Sequence, residues 1–245
     1  VDTAMVGTLG DDALAAVGIG SFVTFMSQSF VMGLGNGVQA VVARREGEGE
    51  HGETGVALNG GLLFALAFGL PLAAVLTLSA STFFPWLHDD MAVVAIGVPY
   101  VQARLLAIPA VGANFAFRGF WNGVNRSTVY LRTLLVMHAL NVVLNYALIF
   151  GELGAPEMGA PGAGVGTALS TLAGTFYYIY LGRKRVPGSG FLERLPDRET
   201  LRRMLNLSIP GGIQSLLFAT GMTVLFVIIA RVGTRELAAA NVLIN

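Results

Sequence analysis

Asp2 is an acidic side chain inside an apolar segment, and it is the acid in this sequence best suited to a switching role. Gly7 and the acidic pair Asp11 and Asp12 predict that the segment ends about one to two helical turns further on. Desolvation favours the protonated form of a carboxyl group and a nearby cation favours the ionised form, so such a group can couple ion binding to a conformational change. A second interpretation, that Asp2 lies in a solvated loop, stays open on these residues alone.

Two asparagines offer the type of atoms that would surround such a carboxylate. Asn141 and Asn145 are spaced i, i+4, so both amides lie on one face if the segment is helical. Thr167 adds a hydroxyl, and Ala163, one turn earlier, could supply a backbone carbonyl. Neutral oxygens of these types bind hard cations or hydrogen-bond to a carboxyl group. The simpler interpretation is that the amides only join neighbouring helices.

The composition of the 245-residue chain is that of a membrane protein. Hydrophobic residues make up 54% and charged residues 12%, and the mean hydropathy is +0.67. The charged share is about half that of an average globular domain. Lysine plus arginine equals aspartate plus glutamate at 15 each, so no basic surplus indicates a nucleic-acid partner. The sequence has no cysteine, which excludes thiol catalysis and thiolate metal sites.

Long apolar stretches nearly free of charge predict the elements that must hold these residues. They are 13–43, 55–87, 91–117, 133–151, 158–182 and 204–230, and of these only 91–117 contains a charged residue, Arg104. A lipid environment cannot satisfy backbone polar groups, so each stretch is expected to be a transmembrane α-helix. Shorter apolar pieces, 1–9 and 237–245, flank them. We therefore predict an all-α polytopic bundle with six complete spans and partial spans at both ends.

The connections between these stretches alternate in charge. Twelve of the fifteen basic residues fall in one set of connections: Arg44, Arg45, Arg118, Arg126, Arg132, Arg183, Lys184, Arg185, Arg194, Arg198, Arg202 and Arg203. The other set carries the acids Asp11, Asp12, Asp89, Asp90, Glu152 and Glu157. Since basic residues accumulate on the cytoplasmic side, the first segment is expected to run outward in the inner (plasma) membrane.

A proline- and glycine-rich connection marks the expected boundary between two halves. Residues 187–200 include Pro187, Gly188, Gly190 and Pro196 and are predicted to form a cytoplasmic inter-lobe linker. Asp197 can cap a short basic amphipathic turn over residues 198–204, which we expect to lie at the membrane interface before the next span.

A weak internal repeat agrees with this boundary. Four residues recur 223 positions later: Gly10, Leu14, Ala15 and Ala16 return as Gly233, Leu237, Ala238 and Ala239. Both copies follow an outward-running segment, as in transporters built from parallel six-span repeats. We therefore expect residues 1–186 to form a first lobe with helices 1 (partial) to 6, and residues 201–245 to begin a second lobe with helix 7 and part of helix 8. On this interpretation the chain starts inside its first span and stops inside its eighth.

Several motifs resemble one transporter family. The run VDTAMVGTLGDDALAAV from Val1 resembles the first-to-second helix signature of the multidrug and toxic compound extrusion (MATE) family. The runs NVVLNYALIFG from Asn141 and GAGVGTA from Gly162 resemble its fifth and sixth helices, and LSIP from Leu207 resembles the opening of its seventh. The resemblance covers the whole chain in order.

The resemblance implies a fold and an activity for the intact protein. It implies twelve helices in two six-helix lobes around a central cavity. It implies secondary active efflux of small organic, often cationic, compounds by antiport against protons or sodium, without a cofactor and without enzymatic activity. The partners would be the organic substrates and the lipid bilayer, with no nucleic acid, and we expect a monomer.

The resemblance also implies a role for the polar residues. Asp2, Asn141, Asn145 and Thr167, with the Ala163 carbonyl, would form the proton or cation coupling site of the first lobe. A sodium ion held by Asp2, Asn141 and Thr167 is the metal site that the same residues predict. In many relatives an aspartate stands at the position of Asn145, and the amide removes one negative charge, which weakens a dedicated sodium site.

Three further polar residues are weaker candidates for a substrate cavity. Asn114 would point into a cavity only if its helix bends at Pro109. Gln28 is equally suited to an interhelical hydrogen bond. Arg104 is expected to extend towards the outer surface and pair with the acids at 89–90, although a substrate contact is the alternative.

Other classes of protein stay open on the sequence. A lipid-linked oligosaccharide flippase of the same superfamily would need several basic residues facing the cavity, and only Arg104 lies inside a predicted span. A non-transporting receptor or structural membrane protein is a second alternative. An intramembrane hydrolase would need paired catalytic groups that these spans do not supply.

Overall fold

The computed structural model describes the backbone of residues 2–232 and the side chains of residues 2–221. Within that range every regular element is helical. The second copy of the short repeat, from Gly233 to Ala239, lies outside the described residues. The predicted all-α class is confirmed.

Nine α-helices follow one another in this part of the chain. They are α1 (Asp2–Val6), α2 (Asp11–Met32), α3 (Leu34–Gly47), α4 (Thr54–Phe83), α5 (Met91–Leu106), α6 (Ile108–Gly123), α7 (Ser127–Phe150), α8 (Ala160–Arg185) and α9 (Arg198–Val232). Short 3-10 turns, Gly7–Leu9, His51–Glu53 and Phe84–Trp86, lie between some of them.

Four units are long and apolar enough to cross a membrane. They are residues 11–47, residues 51–86, α7, and the pair α5 and α6 taken together. α8 is also long enough, at 26 residues, but it carries many glycine, threonine and tyrosine residues. α9, at 35 residues, continues past the last described side chain. Four of the six predicted spans therefore meet the length and composition of a membrane-crossing helix, and α8 and α9 cover the sequence ranges of the other two.

Two predicted spans are broken near their middle. Gly33 separates α2 from α3, and α5 meets α6 at Ala107 with a bend of 44°. The second break lies two residues before Pro109, which stands in the first turn of α6, where its missing N–H breaks no helical hydrogen bond. The bend that Asn114 would need in order to face a cavity is thus present, but it is centred on Ala107.

Small residues allow α9 to pack against α2 and α3. A methyl group added at Gly33 would overlap the backbone of Ser208 and Gly212, and one at Gly37 would overlap Ser208 and the Met204 carbonyl. Only glycine lets the two backbones approach this closely.

The apolar core has two clusters, one at each end of the bundle. The first surrounds the α5–α6 break and includes Tyr100 and Ile108. In the second, the Phe117 ring stacks on Tyr178 with centroids 5.1 Å apart and meets the edge of Phe191 at 5.8 Å. Phe191 belongs to the connection between α8 and α9, so this connection contributes to the core.

Asn59 binds that connection to α4. Its Nδ2 donates to the Gly190 and Arg194 carbonyls at 2.8 and 2.7 Å, and its Oδ1 accepts from the Leu192 backbone N–H at 2.9 Å. Asn59 is only 5% exposed, so these three bonds satisfy a buried amide. The connection expected to be an irregular linker is therefore fixed to the first helices.

α9 begins earlier than expected. Asp197 Oδ1 accepts from the Thr200 backbone N–H at 3.2 Å, and hydrogen bonding from Thr200 holds the pKa of the Asp197 carboxyl below its usual value. Residues 198–204 do not form a separate interfacial turn, however, because no glycine or proline stands between 198 and 209 and one helix continues from Arg198. That part of the prediction was wrong.

Asn59→Ala should loosen the connection, because three hydrogen bonds are lost and two carbonyls and one N–H become unsatisfied. We expect the free energy of unfolding to fall by about 1–3 kcal/mol and trypsin to cleave faster after Arg194. Thermal unfolding and timed proteolysis in detergent measure both. Ser79→Ala is the control, since that α4 hydroxyl bonds only to carbonyls of its own helix. Equal cleavage rates in the two variants would contradict the role of Asn59.

Candidate functional site

The Asp2 carboxyl group is held by two other helices. Asn145 Nδ2 of α7 donates to Asp2 Oδ1 at 2.7 Å, and Thr167 Oγ1 of α8 donates to Asp2 Oδ2 at 3.0 Å. The structure thus brings together three of the residues expected at the coupling site. Asp2 lies in a helix with both oxygens hydrogen-bonded, not in a solvated loop.

The two asparagines form the buried side of this cluster. Asn141 and Asn145 face each other with both amide-to-carbonyl distances at 3.4 Å, and Asn141 Nδ2 donates to Thr167 Oγ1 at 3.0 Å. Asn145 is fully buried and Asn141 is 8% exposed. A Cβ at Gly166 would overlap Asn145 Oδ1, so a glycine is required for α8 to lie against this amide.

Arg104 completes the cluster in a way that the sequence did not predict. Its Nη1 lies 3.4 Å from Asp2 Oδ2 and donates to the Tyr100 hydroxyl at 3.0 Å. The Tyr100 hydroxyl also bonds to Ser21 Oγ at 2.9 Å. The predicted pairing of Arg104 with the acids at 89–90 was wrong, because about 20 Å of helix separates Arg104 from the start of α5 at 1.5 Å per residue.

Tyr100 and Ser21 are the site residues that sequence analysis missed. The i, i+4 spacing of Tyr100 and Arg104 on one helix is a signal that could have found the tyrosine. Ser21 lies on α2, 79 residues away in sequence, and only the packing of α2 against α5 brings it close.

A cavity of about 360 Å³ opens beside this cluster. Its polar lining comes from five helices and consists of Asp2, Thr3, Ser21, Arg104, His138, Asn141, Thr167, Ser170 and Thr171. Two of these carry formal charges, Asp2 and Arg104, and their charges are opposite. His138 is an exposed residue at the rim of the cavity.

The remaining candidates lie outside this cavity. Asn114 lines a neighbouring cavity of about 190 Å³, where its amide bonds to the Thr171 carbonyl at 3.1 Å and the Thr175 hydroxyl at 2.9 Å. Gln28 is buried within α2. Ala163 is buried in the second turn of α8, where the helix itself uses its carbonyl. Its expected role as a ligand is therefore not supported by its position.

The cluster contains one acidic side chain, Asp2. In the part of the chain that the structure describes, no group of three or more His, Asp or Glu side chains is placed to hold a metal ion. Apart from Arg104, the side chains around the Asp2 carboxyl group are neutral amides and hydroxyls. Long apolar helices around an internal charged cluster define an integral membrane protein of the helical-bundle class.

The chain belongs to the MatE family, whose model matches residues 1–147. This is the multidrug and toxic compound extrusion family that the motifs resemble, and its members are transporters, not enzymes. The family membership and the exclusion of an enzyme are therefore confirmed.

Several bacterial proteins that are similar in sequence to this chain share the name NorM. The chain is 29% identical over 251 residues to the multidrug resistance protein NorM of Vibrio cholerae, covering all of this chain and 54% of that protein. It is 31% identical over 249 residues to the probable multidrug resistance protein NorM of Rhizobium meliloti, covering 98% of this chain and 52% of the relative. The chain thus spans about half the length of the curated relatives it matches.

Solved structures show the same fold. An outward-facing multidrug resistance MATE family transporter superposes with a TM-score of 0.84 at 22% identity, covering 94% of this chain and 51% of that one. The complex of a MATE protein with MaL6 gives a TM-score of 0.86 at 22% identity, covering 97% of this chain and 53% of the other. These structures confirm the helical-bundle architecture.

Gly166→Ala tests the close packing of the cluster. The added methyl group overlaps Asn145, so α8 or the amide must shift, and we expect a loss of about 1–3 kcal/mol in the free energy of unfolding. Thermal unfolding of the full-length protein in detergent measures this loss. Gly18→Ala is the control, because a methyl group there meets no atom within 4 Å. Similar unfolding temperatures for the two variants would show that Asn145 is not held as described.

Proposed function

We propose that this chain is part of a secondary active exporter that moves small organic, often cationic, compounds out of the cell while protons or sodium ions flow in. Asp2 is the switching group in this proposal. Asn141, Asn145 and Thr167 are its oxygen and nitrogen partners. The names of the relatives, multidrug resistance proteins, support the choice of substrate class.

The observation that carries the proposal is the hydrogen bonding of Asp2 by two helices beside an open cavity. A carboxyl group in a membrane bundle is costly and is retained where it has a function. The Asp2 side chain is about 20% exposed, so an ion can reach it from the cavity.

Coupling requires that the ion binds the two conformations of the exporter differently. A cation or proton at Asp2 changes which groups can donate to its oxygens. Asn145 and Thr167 belong to different helices, so a change at Asp2 alters the contact of α1 with both α7 and α8. An ion with equal affinity for both conformations would not change the ratio of their populations.

A flippase for lipid-linked sugars has less support. Recognition of a diphosphate favours several basic side chains in the cavity. The cavity beside Asp2 has one arginine in its lining, and that arginine already contacts the carboxylate.

The proposal includes an organisation of the chain. Residues 1–186 form the first lobe, 187–200 the inter-lobe linker and 201–245 the start of the second lobe. The basic ends of α3 and α8 lie on the cytoplasmic side of the inner (plasma) membrane. The protein functions in the bilayer as a monomer, and its partners are its organic substrates.

Single cysteines test this orientation, because the sequence has none of its own. Glu48→Cys and Glu193→Cys should react with a membrane-impermeant thiol reagent only from the cytoplasm. Asp89→Cys should react only from outside, since this residue precedes α5 at the opposite end of the bundle. Labelling of intact cells and of inverted vesicles measures the two sides. Reaction of Glu48→Cys and Asp89→Cys from the same side would contradict the number of spans between them.

Asp2→Asn tests the coupling role. The substitution keeps the volume of the side chain and removes its charge, so substrate binding should persist while gradient-driven export is lost. The measurement is transport by the full-length protein in proteoliposomes with an imposed proton or sodium gradient. Asp12→Asn is the control, because this acid is exposed at the start of α2. Export by Asp2→Asn at the wild-type rate would exclude Asp2 as the coupling group.

A further inference from the structure

Arg104 occupies the place beside Asp2 that a coupling cation would take. Its guanidinium lies 3.4 Å from Asp2 Oδ2, inside the same cavity. Both side chains are about one-fifth exposed, at 18% and 20%, so the pair is only partly screened by water. A positive charge that belongs to the protein is already present at the site.

Arg104 is held in this position by a buried scaffold. The Tyr100 hydroxyl accepts from Arg104 Nη1, and the guanidinium carbon lies 5.7 Å from the centre of the Tyr100 ring. Tyr100 is fully buried, and its hydroxyl bonds to Ser21. Methyl groups at Gly20 or Gly164 would lie 2.6 or 2.7 Å from Tyr100 atoms, so two glycines make room for it. Such packing is not typical of a side chain that extends freely to the membrane surface.

The charges of the cavity balance without any added ion. Asp2 supplies one negative charge and Arg104 one positive charge, and these are the two acidic or basic side chains in the lining of the cavity. Asn145, which contacts Asp2 directly, is uncharged. A sodium ion would therefore enter a site with no net negative charge and lie a few ångströms from a guanidinium, where repulsion is strong in partly desolvated surroundings.

We propose that Arg104 is a tethered cation that excludes sodium from Asp2 and so determines the ion selectivity of the site. This inference rests on the proposed function, since it concerns the same carboxylate. Arg104 balances the charge of Asp2 when no ion is bound. Its hydrogen bond to the Tyr100 hydroxyl keeps the guanidinium next to the carboxylate. A sodium ion that has to displace this arginine loses most of its attraction to Asp2.

Sodium binding at equilibrium tests the inference. The full-length protein in nanodiscs is titrated with ²²Na⁺, without a gradient and without organic substrate. Wild-type protein should show no saturable binding that depends on Asp2. Arg104→Gln should bind sodium at least about tenfold more tightly, because a full opposing charge is removed. The double variant Arg104→Gln with Asp2→Asn should lose this binding again.

Two further variants separate charge from structure. Arg104→Lys keeps the positive charge and should exclude sodium as the wild type does. Tyr100→Phe keeps the ring but removes the hydroxyl that holds the guanidinium, so its sodium affinity should lie between those of wild type and Arg104→Gln. Arg132→Gln, an exposed arginine on α7, is the matched control and should leave binding unchanged. A purely structural role for Arg104 would not produce this order.

The outcomes distinguish this inference from the proposed function. Wild-type protein that binds sodium as tightly as Arg104→Gln would overturn the role of Arg104, and so would an Arg104→Gln protein with no Asp2-dependent binding. Neither result concerns export, which the gradient-driven assay of Asp2→Asn measures separately. If Arg104→Gln does not fold, Tyr100→Phe with unchanged sodium binding overturns the inference.

Discussion

The packing of the helices around α1 depends on providing polar partners for one carboxyl group inside an apolar bundle. Asp2 has two oxygens, and each accepts a hydrogen bond from a different helix, while a guanidinium from a third helix lies against one of them. Burying a carboxylate without partners costs far more than a small protein can offset. The positions of α5, α7 and α8 around α1 are therefore coupled, since moving any of them would leave a polar group unsatisfied.

Glycine makes this polar cluster compatible with close helix packing. Gly166 lets α8 lie against Asn145, and Gly20 and Gly164 leave space for the ring of Tyr100. At the break between α2 and α3, Gly33 and the nearby Gly37 perform the same task for the close approach of α9. Because lipid supplies no hydrophobic force between helices, such short backbone distances are a principal source of packing energy.

Sequence analysis predicted the helices and the residues that share a helix face. It missed contacts between residues that are far apart in sequence. Charge-free stretches placed the helices, because a charged residue is costly inside a bilayer, and the i, i+4 spacing of Asn141 and Asn145 placed both amides on one face. The partner of Arg104 was predicted wrongly, since Asp2 lies 102 residues away in sequence and no local pattern links the two. Residues such as Ser21 enter the site only through tertiary packing. The breaks at Gly33 and Ala107 were likewise not visible from charge, because both sides of each break are apolar.

The Asn59 contacts with the connection after α8 have a mechanical consequence. Three hydrogen bonds and the buried ring of Phe191 fix residues 189–194 to the first helices. This stretch therefore cannot move independently of them. The connection must therefore move together with α4 as a rigid extension of that helix. Pro196 is also buried, and a methyl group at Gly60 of α4 would lie 2.8 Å from its ring, so the fixed stretch continues almost to the cap of α9 at Asp197. A free loop would allow α9 many orientations relative to α4, whereas a connection packed along its length allows few.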